Sequence, residues 1–570
     1  MLTGILNSQE QIMAEPSDPQ QPIPHRDTHS TPEASLPEWS PPKTRSPSMT
    51  VDINLAEPGK THRDQPPIQW RELLALLLLV VLSDLTIYRG EGFAGFAALL
   101  VFGPTIIWMG AARRSWTGAT VAVATLLFFV ACKLLWCGSI LLVVCGVTLM
   151  FAFAMSLTGQ IPYVLETFLF AAQTFTAGAR GLNFYGDRFR DRSDTTRGTP
   201  WLNVILPLAA LLLFGSIFIL ANPDLVTAFS KQLESFLTSM STWLRGFSMW
   251  EVAFWCVSLW ISMGLLRPIF PSLISKTSPD EALPIAESPL YAPFRNTLLT
   301  VIGLFAVYLA FEFRTLWFRE FPKGFYYSGY AHEGAAWLTL ALALATVMLS
   351  LIFRGRTLGD PRLASLKKLA WAWSLENALL AITVYHRLLI YIGFNGMTRM
   401  RVVGLLGITC VVVGFALVIW KIKFHKRFLW LIRRQLWTVA AAVFVYAILP
   451  VDMLVHSYNV RRILAGDPAP TVQISVHPIT NDGYLVLTPL LESDNEIIRE
   501  GIRAMLAEKR DELEISSRQR RTAGWTVYQI SDHRLEQHLE ELSTQLESMS
   551  DDDHLEAAQE RFYEYTYQWY

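Results

Sequence analysis

Ten polar residues stand inside apolar stretches or at their edges: Asp84, Glu312, Arg314, His332, Glu333, Glu376, Arg387, Arg401, Asp452 and Asn459. Carboxylates in such places can act as bases, carry protons or pair with guanidinium groups, and each needs a reason to be there. A charge at the centre of a bilayer costs on the order of 3 kcal/mol on insertion scales, so every one is a candidate site residue. The bland reading is end-of-span anchoring and ion pairing between helices, because long cationic side chains reach an interface on their own. Glu376 differs, since it lies about two turns inside its apolar segment beside Asn377 and needs a partner, a water-filled pocket or a proton.

Other chemistries find little support. His332, His386 and His456 could gather round a metal with Glu333 or Asp452, but they come from separate segments and their spacing favours no metal. No HExxH, phosphate-cradling glycine loop or GxSxG elbow is present, so no cofactor is expected. The five cysteines (Cys132, Cys137, Cys145, Cys256 and Cys410) all fall in apolar stretches and form no disulfide framework.

The elements that must position these groups are membrane spans. The chain is 52% hydrophobic and only 17% charged, against roughly a quarter charged in a typical soluble domain. A hydrocarbon core of about 30 Å takes about 20 residues of helix. Eleven segments approach that length, at about 72–88, 93–110, 116–132, 136–157, 201–220, 249–266, 297–317, 334–353, 370–393, 402–421 and 435–451. The third and fourth join through Lys133 as a hairpin. In lipid every backbone amide needs an internal partner, so the expectation is an all-α, polytopic transmembrane helical bundle with a small helical C-terminal domain.

Lys and Arg crowd alternate loops, as in Arg113 and Arg114, Arg354 to Lys368 and Lys421 to Arg434. That bias puts the N-terminus in the cytoplasm and the C-terminus outside. Residues 1–68, rich in Pro, Ser, Gln and Thr, read as a disordered cytoplasmic tail, 69–456 as the transmembrane domain and 457–570 as an acidic, mostly helical extracytoplasmic domain. Within the last, 471–477 reads as extended and helices are expected at about 494–513, 531–549 and 552–566. The stretch 161–179 reads as an interfacial or re-entrant helix, and 223–245 as an amphipathic helix on the membrane surface. A net charge of −1 offers nothing to a nucleic acid; the expected partners are the bilayer and either a small-molecule ligand or an envelope protein.

Several short runs carry a resemblance. Leu304-Phe305-Ala306-Val307 is followed by Tyr330-Ala331-His332-Glu333-Gly334 opening a span. Arg387 and Tyr391 precede Gly396-Met397-Thr398-Arg399-Met400-Arg401, and Asp452 precedes Tyr458-Asn459-Val460-Arg461. Asp482-Gly483-Tyr484-Leu485 and Trp525 come later. Over roughly 70–540 this pattern resembles a bacterial polytopic inner-membrane family catalogued only as a domain of unknown function. The chain departs from it at His332-Glu333, where the family is basic, and at Ser457, where an arginine is usual. The resemblance implies architecture and no activity.

Three functions compete. A carrier or channel-like protein would line an outward vestibule with Glu312, Arg314, His332, Arg387, Arg401 and Asp452, continued past Glu376. An envelope sensor or scaffold would work through 223–245 and its tails. A membrane enzyme on a lipid-linked substrate would use Asp84, Glu312 or Asp452 as base.

Overall fold

A computed structural model describes residues 68–194, 248–268, 287–317, 327–353, 355–424, 428–547 and 551–569, with scattered positions between them. The N-terminal tail, most of the expected span 201–220 and most of the expected surface helix 223–245 lie outside the described residues. Among the described residues all regular structure is helical. Seven helices are long and apolar enough to cross a membrane, as an integral membrane protein requires.

The first half of the chain forms α1 (Trp70–Ser83), continued by a π-helical turn Asp84–Tyr88, then α2 (Phe93–Gly110), α3 (Gly118–Trp136), α4 (Ile140–Ser156) and α5 (Val164–Asp194). Helix α6 (Met249–Leu266) packs against α1 and α5. Side-chain oxygens of Thr117, Ser139 and Ser248 accept amide hydrogens at the starts of α3, α4 and α6, at 3.2–3.3 Å. Such caps answer donors that a helix cannot satisfy itself. Their apolar faces meet in one core around Leu100, Leu127, Phe153 and Leu266.

The second half forms α7 (Tyr291–Glu312, extended by a π-helical turn to Trp317), α8 (Tyr327–Ile352), α9 (Leu363–Asn395), α10 (Arg399–Phe424) and α11 (Phe428–Ile448). Two further clusters hold this half, one around Phe353, Trp373 and Val418 and one around Leu342, Val384 and Leu388. Helix α11 lies on α10 and reaches α3, α4 and α5, so it links the two bundles.

After Pro450 come α12 (Val451–Leu464), short helical turns, α13 (Glu496–Ala523), α14 (Ile530–Glu541) and α15 (Asp552–Tyr567). Their core gathers Ile474, Leu487, Ile502, Leu535 and Phe562. They sit at one end of both bundles, hereafter the module face. Glu91 N–H donates to Thr526 Oγ1 at 3.2 Å and Gly138 N–H to Gln529 Oε1 at 3.1 Å. Arg462 donates to the Ile392 carbonyl at 2.8 Å.

Three expectations change. Residues 471–477 are not extended: a 3₁₀ turn Ala469–Thr471 runs into the helical turn Val472–Ser475. The alternation of Val472, Ile474 and Val476 imitates a strand, but the described residues include no strand to pair with, and helical turns close their own amides. Lys133 is not in a hairpin loop; α3 carries it in its last turn and the bend falls at 137–139, where Ser139 starts α4. Finally, 164–194 is one unbroken helix without the reversal that a re-entrant segment needs. It lies closely on α6: a Cβ on Gly264 would stand 2.3 Å from the Thr174 carbonyl oxygen, and one on Gly178 2.5 Å from that of Trp260.

Candidate functional site

At the module face, a cavity of about 740 Å³ opens between α8, α9, α10, α11, α12 and the turn 473–478. Volumes of about 300–1,000 Å³ are usual for small-molecule sites. Its deeper wall is mostly apolar, formed by Ala336, Leu388, Gly404, Gly407 and Ile408 with Thr339 as the polar member; its outer end carries Asn395, Arg399, Arg401, Asp452, His456, Gln473 and His477.

The turn between α9 and α10 sets the outer end. Gly396 stands at φ +94°, a conformation that L side chains seldom adopt. Asn459 fixes the next residue from both sides, accepting Met397 N–H at 2.7 Å and donating to its carbonyl at 2.9 Å. Thr398 then caps α10, its Oγ1 accepting Arg401 N–H at 3.2 Å. This places Arg399 and Arg401 at the helix start with different partners. Arg399 donates both of its fork nitrogens to Asp452, which also accepts from the Thr480 amide and hydroxyl at 2.8 and 2.7 Å. Burial opposes the Asp452 charge, but the bonds from Arg399 and Thr480 outweigh it and hold its pKa below the ordinary carboxylate value.

Arg401 is 4% exposed and meets no carboxylate among the described residues. It donates to the Gly396 carbonyl and to Asn395 Oδ1, lies 3.7 Å from the centroid of the Tyr391 ring, and leaves its Nε unpartnered. His456, also 4% exposed, leaves Nδ1 unpartnered. Burial pushes the His456 pKa down to about 4; burial and then the nearby Arg401 and Arg399 lower that of His477. Both imidazoles are therefore neutral at pH 7. The cavity thus carries one positive charge that no described side chain answers.

Of the residues singled out from sequence, Arg401 and Asp452 line this cavity and Asn459 braces its rim. Glu312 and Arg387 form a buried pair beneath it, with Nε to Oε1 at 2.6 Å and Nη2 to Oε2 at 2.7 Å. Tyr308 adds a hydroxyl donor to Glu312 at 3.0 Å. Asp84 belongs elsewhere, accepting from Trp255 Nε1 at 2.8 Å and pairing with Arg89 at 3.0 Å. Arg314 is exposed in the turn after α7. His332 and Glu333 fall in α8, but their side chains lie outside the described residues. Glu376 lines no part of the cavity; it is twelve residues before Leu388 along α9, about 18 Å at 1.5 Å per residue. Its Oε2 meets no partner among the described residues. No group of three possible metal ligands occurs among them either.

The model of a domain of unknown function (DUF4153) matches residues 73–481. The chain belongs to that family. No curated protein and no solved structure matches it. The DUF4153 stretch contains every residue of the cavity and ends before α13, so the site lies within the family region and the last three helices lie beyond it.

Sequence reasoning missed Asn395, the link between Arg401 and the Trp569 carbonyl, to which it donates at 3.3 Å. Its only signal was an amide before a glycine at a span's end. Also missed was the buried pair Glu72–Arg267 at the opposite face, 2.5 Å apart. Glu72 sits only two residues into α1, where sequence gives no sign that a carboxylate is buried.

Proposed function

We propose that this DUF4153 member is an eleven-span membrane protein that takes up an anionic ligand in the module-face vestibule, in the manner of a carrier or channel-like protein. Arg401 carries the reading. A guanidinium withdrawn from water without a counter-charge costs several kcal/mol, of which the Tyr391 ring offsets about 2 kcal/mol. An anion entering the cavity would supply what the cation lacks. The neighbouring start of α10, the positive end of its dipole, favours the same charge.

The order of helix ends supports that span count. Helix α4 finishes at the face where α1 begins, while α6 starts at the module face, beside Arg89. An odd number of crossings between them, one being the simplest, agrees with the apolar run 201–220. The positive-inside bias puts the opposite face in the cytoplasm and the module outside, in a bacterial inner membrane. The enzyme reading fares worse, because Asp84, Glu312 and Asp452 are each held in ion pairs. The scaffold reading draws on the module's contact with both bundles.

The test is thermal unfolding of the nanodisc-embedded chain with phosphate, sulfate and short carboxylates. The reading expects anions to raise the midpoint and Arg401→Gln to abolish the rise. A wild-type midpoint indifferent to every anion at constant ionic strength would end it.

A further inference from the structure

We infer that the ligand is an anionic amphiphile whose headgroup sits at Arg401 and whose apolar chain lies along α10. The inference rests on the vestibule reading and adds the ligand's class. It starts from a mismatch of size. A water molecule occupies about 30 Å³ in the liquid, so a cavity of about 740 Å³ is many times larger than an inorganic anion needs. The excess is apolar and directional. Met400, Gly404 and Gly407 recur at helical spacing on the cavity side of α10 and continue about 10 Å into the span. A Cβ on Gly407 would touch nothing, and one on Gly404 would meet only Leu388, at 3.4 Å or more. The facing wall is Ala336 and Thr339 of α8 and Leu388 of α9. A free anion would leave that slot to water or to nothing, whereas a hydrocarbon chain would bury it at roughly 25 cal/mol per Å².

The polar end fits a head with several acceptors. Arg401 Nε has no partner, and Gln473 and His477 share the rim. The unpartnered Nδ1 of His456, neutral at pH 7, can serve as one further donor. Phosphate and carboxylate heads satisfy the same donors, so the shared chemistry is an oxyanion on an apolar chain.

Native mass spectrometry of chain solubilised with phosphatidylglycerol or phosphatidylcholine, together with thermal unfolding in inorganic phosphate, separates the sources. Gly407→Leu puts bulk into the slot at a position where a Cβ meets nothing within 4 Å, and Arg401→Gln removes the cation, with Arg401→Lys as the variant that keeps the charge. The expected result is at least threefold more phosphatidylglycerol than phosphatidylcholine retained by wild type. Gly407→Leu should lose that preference while keeping its stabilisation by phosphate, and Arg401→Gln should lose both. If Gly407→Leu keeps the lipid and Arg401→Gln does not, the chain does not lie along α10 and the inferred binding mode is overturned, with the anion site intact. If both variants retain wild-type lipid, the lipid is annular only. If wild type ignores phosphate and lipid alike, the vestibule reading falls with the inference.

Discussion

Glu312 and Arg387 show what a buried charge requires. Each is almost wholly enclosed, 0% and 6% exposed, and each is the other's counter-ion through two short bonds. Removing one partner strands the other in a low-dielectric interior, at about 3–5 kcal/mol. Glu312→Gln and Arg387→Gln should each lower the unfolding midpoint severely, and the double variant should recover part of the loss; additive losses would contradict the pairing. His456 offers a second check through pH. In an unfolded chain it takes its proton near pH 6.5, in the fold only near pH 4. Between those values only the unfolded state is protonated, so stability falls as the pH falls, by about 3 kcal/mol in full. His456→Gln should flatten that window. The contribution of Asp452, whose pKa is lowered, should persist and be lost only below about pH 3.8. At this scale the sequence marked which groups were out of place. It could not pair them, because Glu312 to Arg387 is a contact across 75 positions decided by how α7 meets α9.

The turn from α9 to α10 is the element on which the vestibule depends. A Cβ on Gly396 would approach Asn459 Oδ1 to 2.6 Å and Pro470 Cβ to 2.8 Å, in a backbone conformation that already disfavours it. Gly396→Ala should therefore cost about 1–3 kcal/mol and weaken anion stabilisation together with the midpoint. Thr398→Ala removes a cap and should cost about 1 kcal/mol, with the fold retained and Arg401 less fixed. Calorimetry in detergent separates these sizes. A threonine two residues past a glycine and an asparagine after a span are legible in the sequence as a cap and a brace of loop backbone, both local in chemistry. The helical turn at 472–475 escaped it, since a two-residue alternation looks the same in a strand and in a turn wedged between helices.

Across the whole molecule, apolar length located the described apolar helices, because bilayer thickness leaves a chain few choices. The association of helices into two cores, tied by α11 and the module, was invisible, as lipid-facing and helix-facing apolar surfaces share one composition. Alkaline phosphatase and green fluorescent protein fused separately after Tyr570 test the arrangement. An active phosphatase with a dark fluorophore is expected; the reverse pattern would put the vestibule in the cytoplasm.

Residues 451–569 meet α2 and α3 on one side and α9 and α10 on the other. Translation delivers them after every described apolar helix. A nascent chain halted at Ile448 already owns every described apolar helix but none of the fastenings that this segment makes. Ribosome stalling, frameshift or clipping near that point would thus release a product that is fully inserted yet unlatched, with the Arg399 fork and the Met397 backbone deprived of Asp452 and Asn459.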